Sequence, residues 1–281
     1  GIIDADLNVL PSRGSVMKRI EQAGLTSNQA GYLWMDDSLG LILNKLDELK
    51  LAQNTIVLFV ADHGSAHKGS LYKARGTEVP CLMRWPAGMK AGVRSDELIQ
   101  NTDFVPTWFE LAGVKKPASY RMDGVSLTPL FQAPHEPVRE HVYAEIGAAR
   151  SIKTKTHSYI ALRYTQEQVA GVQKRQRRDL KALTGLSGGV SRSIATHPHA
   201  YTGDQLYDLN RDPDAQNNLA DHKRHAGTLA QMKQKLAAEL KRFTARPYGE
   251  FVPGGNALDG GGYEKVFETL RRAAGDKKPK K

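Results

Sequence analysis

Seven consecutive residues, Thr55-Ile56-Val57-Leu58-Phe59-Val60-Ala61, run without a charge straight into Asp62-His63-Gly64. A continuous apolar, β-branched run of this length suits a strand covered on both faces, the habit of parallel sheets inside α/β folds. Residues 27–51 just before it read as a helix. Ser27 is a plausible N-cap, and Leu33, Leu39, Ile42, Leu43, Leu46 and Leu49 recur at helical spacing, so one face should pack on a sheet. In open α/β folds ligands collect beyond the carboxyl ends of the strands. Asp62 and His63 therefore stand where chemistry is expected.

After that turn comes a loop rich in Gly, Ser and Lys, then a second short strand over residues 79–84 and the turn Trp85-Pro86-Ala87-Gly88. Residues 103–112 read as a short helix, with Pro106 in its first turn and Gly113 past its end. Beyond Pro129 the texture changes to short strands at 141–146, 151–153, 158–163 and 205–209. A final helix over 225–243 carries Leu229, Met232, Leu236, Leu240 and Phe243 on one face. The expected fold is α/β: a mixed or parallel sheet flanked by helices, followed by a small antiparallel sheet covered by a helix.

Asp62 and His63 make a plausible metal-ligand pair. The carboxylate is a hard donor suited to Ca²⁺ or Mg²⁺, and the imidazole is more usual on Zn²⁺ or Mn²⁺. The same two residues also suit a turn cap beside a satisfied loop histidine. Lys68, in Lys68-Gly69-Ser70-Leu71-Tyr72, could bring an ammonium beside the metal and neutralise a bound oxyanion, and His67 is placed to protonate a leaving group. Three further features read as structural. Adjacent helical residues such as Asp36 and Asp37 diverge by about 100°, His197-Pro198-His199 has no third ligand in view, and Cys81 sits in an apolar run that implies a buried strand residue.

Several ordered segments carry a resemblance. Met35-Asp36-Asp37-Ser38-Leu39-Gly40 leads to Asn54 through Gly64; then come Lys68 through Tyr72, Val79-Pro80 and Arg84 through Gly88. Thr102-Asp103-Phe104-Val105-Pro106-Thr107 is followed by Asp123-Gly124-Val125, and finally by Gln205-Leu206-Tyr207-Asp208-Leu209 with Asp212-Pro213 and Asn218-Leu219. In this order they resemble the C-terminal half of the sulfatase family, within the alkaline phosphatase superfamily. The resemblance implies a partial alkaline-phosphatase-like fold and sulfate ester hydrolysis. It implies Asp62 and His63 as ligands of a divalent cation, calcium ahead of Zn²⁺ or Mn²⁺, and Lys68 in contact with the sulfate.

By the same resemblance, residues 1–140 form the later part of the α/β catalytic domain, 141–253 an α+β subdomain with a basic insertion near 171–195, and 254–281 a basic tail. The substrate is expected to be a small-molecule or glycan sulfate ester, and the location periplasmic or secreted. Sulfatases use a formylglycine made within Cys/Ser-x-Pro-Ser-Arg, which is expected upstream of this chain, so the chain alone is expected to be inactive. Val9-Leu10-Pro11-Ser12-Arg13 echoes that motif, but Val9 cannot become a formylglycine. Two alternatives share some of these features. One is a phosphodiesterase or phosphonate monoester hydrolase of the same superfamily, and the other a non-catalytic polyanion-binding module.

Charge weighs against the last. The net +10 of the 281 residues is carried by two stretches: residues 171–195 hold six basic residues against one acidic, and 271–281 the same. The remainder is neutral, so nucleic acid is not the expected partner. One cysteine excludes an internal disulfide, and the short apolar runs fall well below the ~20 residues of a membrane-spanning helix.

Overall fold

The computed structural model describes residues 10–64, 71–72, 76–163, 196–200 and 202–243. The basic insertion and the basic tail lie outside the described residues. Contacts divide the chain into two compact units: one gathers the described residues up to Phe59 with Leu82–Gly92, the other Val60–Cys81 with the described residues from Val93 onward.

The first unit opens with α1 (Arg13–Gln22), started by Ser12, whose Oγ accepts the Ser15 N–H at 3.2 Å. A 3-10 turn over Ser27–Gln29 leads into α2 (Ala30–Glu48). Arg19 of α1 forks onto the Asp37 carboxylate of α2, with Nη1 3.0 Å from Oδ1. Strands β1 (Val57–Val60) and β2 (Cys81–Arg84) form a two-stranded sheet.

Here the burial expectations fail. No residue of α2 is buried, Ile42 is 54% exposed, Val60 ends β1 exposed, and Cys81 and Leu82 of β2 are exposed. Two strands present too little surface to cover a 19-residue helix and be covered in turn. The apolar pattern marks a face able to be buried, not one that is.

The second unit contains α3 (Phe104–Leu111), α4 (Thr128–Gln132) and a four-stranded antiparallel sheet. The strands are β3 (Val142–Ile146), β4 (Ala149–Lys153), β5 (His157–Leu162) and β6 (Asp204–Asp208), paired in that order. The last helix, α5 (Ala226–Arg242), places Met232, Leu236 and Leu240 against Ile152, Tyr159, Ala161 and Leu206, with Leu229 and Phe243 at the margin. Each buried Leu, Ile or Met among them contributes about 1.5–3 kcal/mol. This is the helix-covered antiparallel sheet read from the sequence.

The sheet is buried on its other face as well. Tyr159 pairs with Leu206 toward α5, whereas Ile160 pairs with Gln205 and Ser158 with Tyr207 on the opposite side. Gln205 and Tyr207 are both fully buried there. Beside β6, Asn218 acts as a surrogate strand: its Oδ1 accepts the Leu206 N–H at 2.9 Å and its Nδ2 donates to the Asp204 carbonyl at 2.9 Å. Those contacts explain why Asn218-Leu219 accompanies the β6 sequence.

A buried carboxylate organises α3. Asp103, wholly inaccessible, accepts the N–H of Gln100 at 2.8 Å and of Val125 at 2.9 Å and pairs with Arg139. Gly124 lets the two segments meet, since a Cβ there would lie 2.0 Å from the Thr102 carbonyl oxygen.

Candidate functional site

The β1 strand delivers Asp62 and His63 two and three residues past its end. Asp62 Oδ1 accepts the His63 backbone N–H at 2.9 Å, which folds the carboxylate back over its neighbour. Its side chain nevertheless remains 84% exposed, against 31% for His63. Across this turn His63 Nε2 stands 3.2 Å from Asp62 Oδ2.

The tautomer decides what that approach means. His63 Nδ1 lies 2.9 Å from the Gly64 carbonyl oxygen. A carbonyl can only accept, so Nδ1 carries the proton, and in the neutral ring Nε2 keeps its lone pair. That lone pair faces a carboxylate oxygen. Two acceptors this close are reconciled by a second ring proton, by a water that donates to both, or by a cation that both coordinate from one side. A histidine whose other nitrogen donates to a backbone carbonyl is also the usual arrangement of a metal-bound imidazole.

The donor set fits a cation in a second way. With metal–ligand distances of ~2.3 Å, donors 3.2 Å apart subtend about 90° at one ion, as neighbouring ligands do. Among the described residues no third His, Cys, Asp or Glu joins this pair. Further ligands would have to be backbone or amide oxygens, water, or residues outside the described ones.

His67 and Lys68 both lie outside the described residues. The segment that contains them is bounded by described ones. On one side the Gly64 N–H donates to the Gly76 carbonyl at 3.4 Å. On the other, Leu71 and Tyr72 are buried. Lys153 of β4 reaches the same region, its Nζ donating to Thr77 Oγ1 at 3.0 Å.

Other sequence candidates are accounted for structurally. Asp37 is consumed by Arg19, a partner 18 residues away that local reading passed over. His197 is buried in a stack on Tyr72, with ring centroids 3.9 Å apart and planes 7° from parallel. Cys81 is exposed as a residue, but desolvation around its sulfur pushes the thiol's pKa up, away from a nucleophilic thiolate. Ser12, in the segment that echoes the nucleophile motif, caps α1.

Residues 15–114 match the family model described as Sulfatase. The chain is 32% identical over 206 residues to an ulvan-active sulfatase of Formosa agariphila, covering 70% of this chain and 38% of that protein. It is 36% identical over 140 residues to human steryl-sulfatase, covering 41% of this chain and 24% of that one. The chain thus spans well under half the length of either relative. Among solved structures it resembles BT4656 in complex with its substrate D-glucosamine-2-N,6-O-disulfate, at TM-score 0.57 and 21% identity over 78% of this chain and 40% of that one. It also resembles a putative sulfatase, yidJ, of Bacteroides fragilis, at TM-score 0.57 and 18% identity over 87% of this chain and 48% of that one. These likenesses establish the alkaline-phosphatase-like mixed α/β fold.

Proposed function

Residues 15–114 belong to the sulfatase family, and on that premise we propose that the chain supplies the cation-binding turn of a sulfuric ester hydrolase. The reaction splits a sulfate ester into an alcohol and inorganic sulfate. The observation that carries this reading is the Asp62–His63 pair, which brings an imidazole nitrogen and a carboxylate oxygen within 3.2 Å, close enough to share one cation.

Asp62 and His63 would hold a divalent cation, with calcium favoured ahead of Zn²⁺ or Mn²⁺. When bound, such an ion polarises the sulfate oxygens. Lys68 offsets negative charge on the sulfuryl group as the ester S–O bond breaks, and His67 supplies a proton to the departing alkoxide. The nucleophile expected from the family is a formylglycine. A sulfated saccharide is the favoured substrate, because an ulvan-active sulfatase is among the relatives and a glucosamine disulfate is the substrate named for one structural neighbour. The family resemblance also favours a periplasmic or secreted location; no described helix is long and apolar enough to cross a membrane.

The test is hydrolysis by the full-length gene product, comparing 4-nitrophenyl sulfate with bis(4-nitrophenyl) phosphate and repeating both with Asp62→Asn. Faster release from the sulfate, lost in the variant, is the expected result. Preference for the phosphodiester, or turnover of the sulfate unchanged in Asp62→Asn, would overturn the reading.

A further inference from the structure

We propose that Tyr72 is a positioning residue: its hydroxyl, clamped on Gln205, fixes the C-terminal end of the segment that carries His67 and Lys68. The proposal rests on the sulfatase reading above for what those two residues do, and on geometry alone for the clamp.

Tyr72 is buried on the face of the small sheet turned away from α5. Its hydroxyl donates to Gln205 Oε1 at 2.7 Å. The same oxygen accepts the Tyr207 hydroxyl at 2.8 Å, and Gln205 Nε2 donates to the Thr202 carbonyl at 3.0 Å. The Tyr72 ring lies flat on His197 and meets Tyr207 edge-on, with centroids 6.0 Å apart at 68°. Gln205 is 1% exposed, so its amide oxygen has no water to turn to and both of its acceptor positions are filled by phenols.

A phenylalanine would fill the same apolar space. A buried hydroxyl is costly unless bonded, and a bonded one fixes position as well as depth. Depth alone would let the chain slide along the sheet face; the bond to one oxygen does not. Tyr72 follows Lys68 by four residues, and Gly64, seven residues before Leu71, is held at the other end by Gly76. The described residues on either side of Lys68 are thus each tied to a partner. A reacting group displaced by ~1 Å can lose about 10²-fold in rate.

The test compares matched hydroxyl deletions. Tyr72→Phe removes the clamp. Tyr159→Phe removes an equally buried phenol from the opposite face of the same sheet, where it donates to Asp204 Oδ1 at 2.8 Å. Hydrogen exchange is read on the chain over residues 60–80, and kcat and KM for 4-nitrophenyl sulfate on the full-length gene product.

Tyr72→Phe should speed exchange over 60–80 about tenfold and lower kcat about tenfold with little change in KM. Tyr159→Phe, at a comparable loss in thermal midpoint, should leave exchange over 60–80 and kcat within about twofold. Gln205→Leu should reproduce Tyr72→Phe, and the double variant should be no worse than the poorer single one. Equal effects of the two Phe variants, or unchanged exchange over 60–80 in Tyr72→Phe, would overturn the proposal. Should the wild-type gene product hydrolyse no sulfate ester, the sulfatase reading falls, while the exchange comparison still decides whether Tyr72 fixes the segment.

Discussion

His63 Nε2 points at Asp62 Oδ2 from 3.2 Å while Nδ1 is occupied by the Gly64 carbonyl. A cation coordinated by both atoms would offset the repulsion between their lone pairs. Calorimetric titration of the chain with Ca²⁺ should therefore show binding that weakens by about 100-fold in Asp62→Asn, which removes the charge but keeps the shape. His63→Ala should weaken it less for calcium than for Zn²⁺, because imidazole matters more to the softer ion. Equal affinity in wild type and Asp62→Asn would exclude the pair as ligands.

Asp103 and Arg139 test the second unit. Burial pushes the Asp103 carboxyl up and the Arg139 guanidinium down, the two signs of a desolvated pair, and the backbone donors of Gln100 and Val125 pull Asp103 back. Asp103→Ala leaves a largely buried guanidinium without its anion and should cost about 3–5 kcal/mol in urea unfolding. Gly124→Ala should also destabilise, because the Thr102 carbonyl occupies the space of the new methyl.

Acid should weaken the small sheet. Burial raises the Asp204 carboxyl, but the charge of Arg163 and hydrogen bonds from Lys233, Arg163 and Tyr159 outweigh it and leave the pKa below the usual range. Glu239 is likewise held low, first by its hydrogen bond with His141, against burial and with help from Arg242. Groups depressed on folding stabilise above the unfolded carboxyl pKa of ~4, and that stabilisation is lost as pH falls through the folded values. Asp103, shifted the other way, loses its contribution as pH rises through its folded value, and so partly offsets them. Urea midpoints measured downward from about pH 5 should fall, and Asp204→Asn should flatten the slope.

Core and surface should separate sharply along two helices of similar length. Leu236→Ala on α5 removes a fully buried side chain and should cost about 2–5 kcal/mol. Ile42→Ser on α2, at a position more than half exposed, should change the stability of the chain by no more than about 0.5 kcal/mol. Thermal or urea melts of the two variants decide this.

The C-terminal elements were legible because their signals are local. The heptad-like face from Leu229 to Phe243 needs only helical period, and the four strands were placed to within two residues at either end. The two-residue loop after Ile146 was harder to read. Gly147 adopts φ +50 at the first loop position, where a two-residue hairpin with glycine leading forms, and its cue is one glycine rather than an Asn-Gly or Asp-Gly pair. Composition misleads about burial in the first unit, because Leu82 and α2 have the composition of covered residues, whereas covering depends on what packs against them. The Asp-His-Gly turn could be placed from its strand, but its tautomer could not, since that depends on the direction of one carbonyl. Nothing local pairs Tyr72 with Gln205, 133 positions away.

Gln205 Oε1 also sets a rule for recombining this chain with its relatives. One amide oxygen serves a phenol from the segment after the Asp-His-Gly turn and a second phenol from its own strand. A chimera joined anywhere between residues 72 and 205 inherits the two ends of that contact from different parents. Unless both supply the tyrosine and the glutamine, the hybrid buries a hydroxyl or an amide without its partner. The inherited unit is therefore the pair of segments together, and exchange of the small sheet alone is compatible only with parents that share both residues.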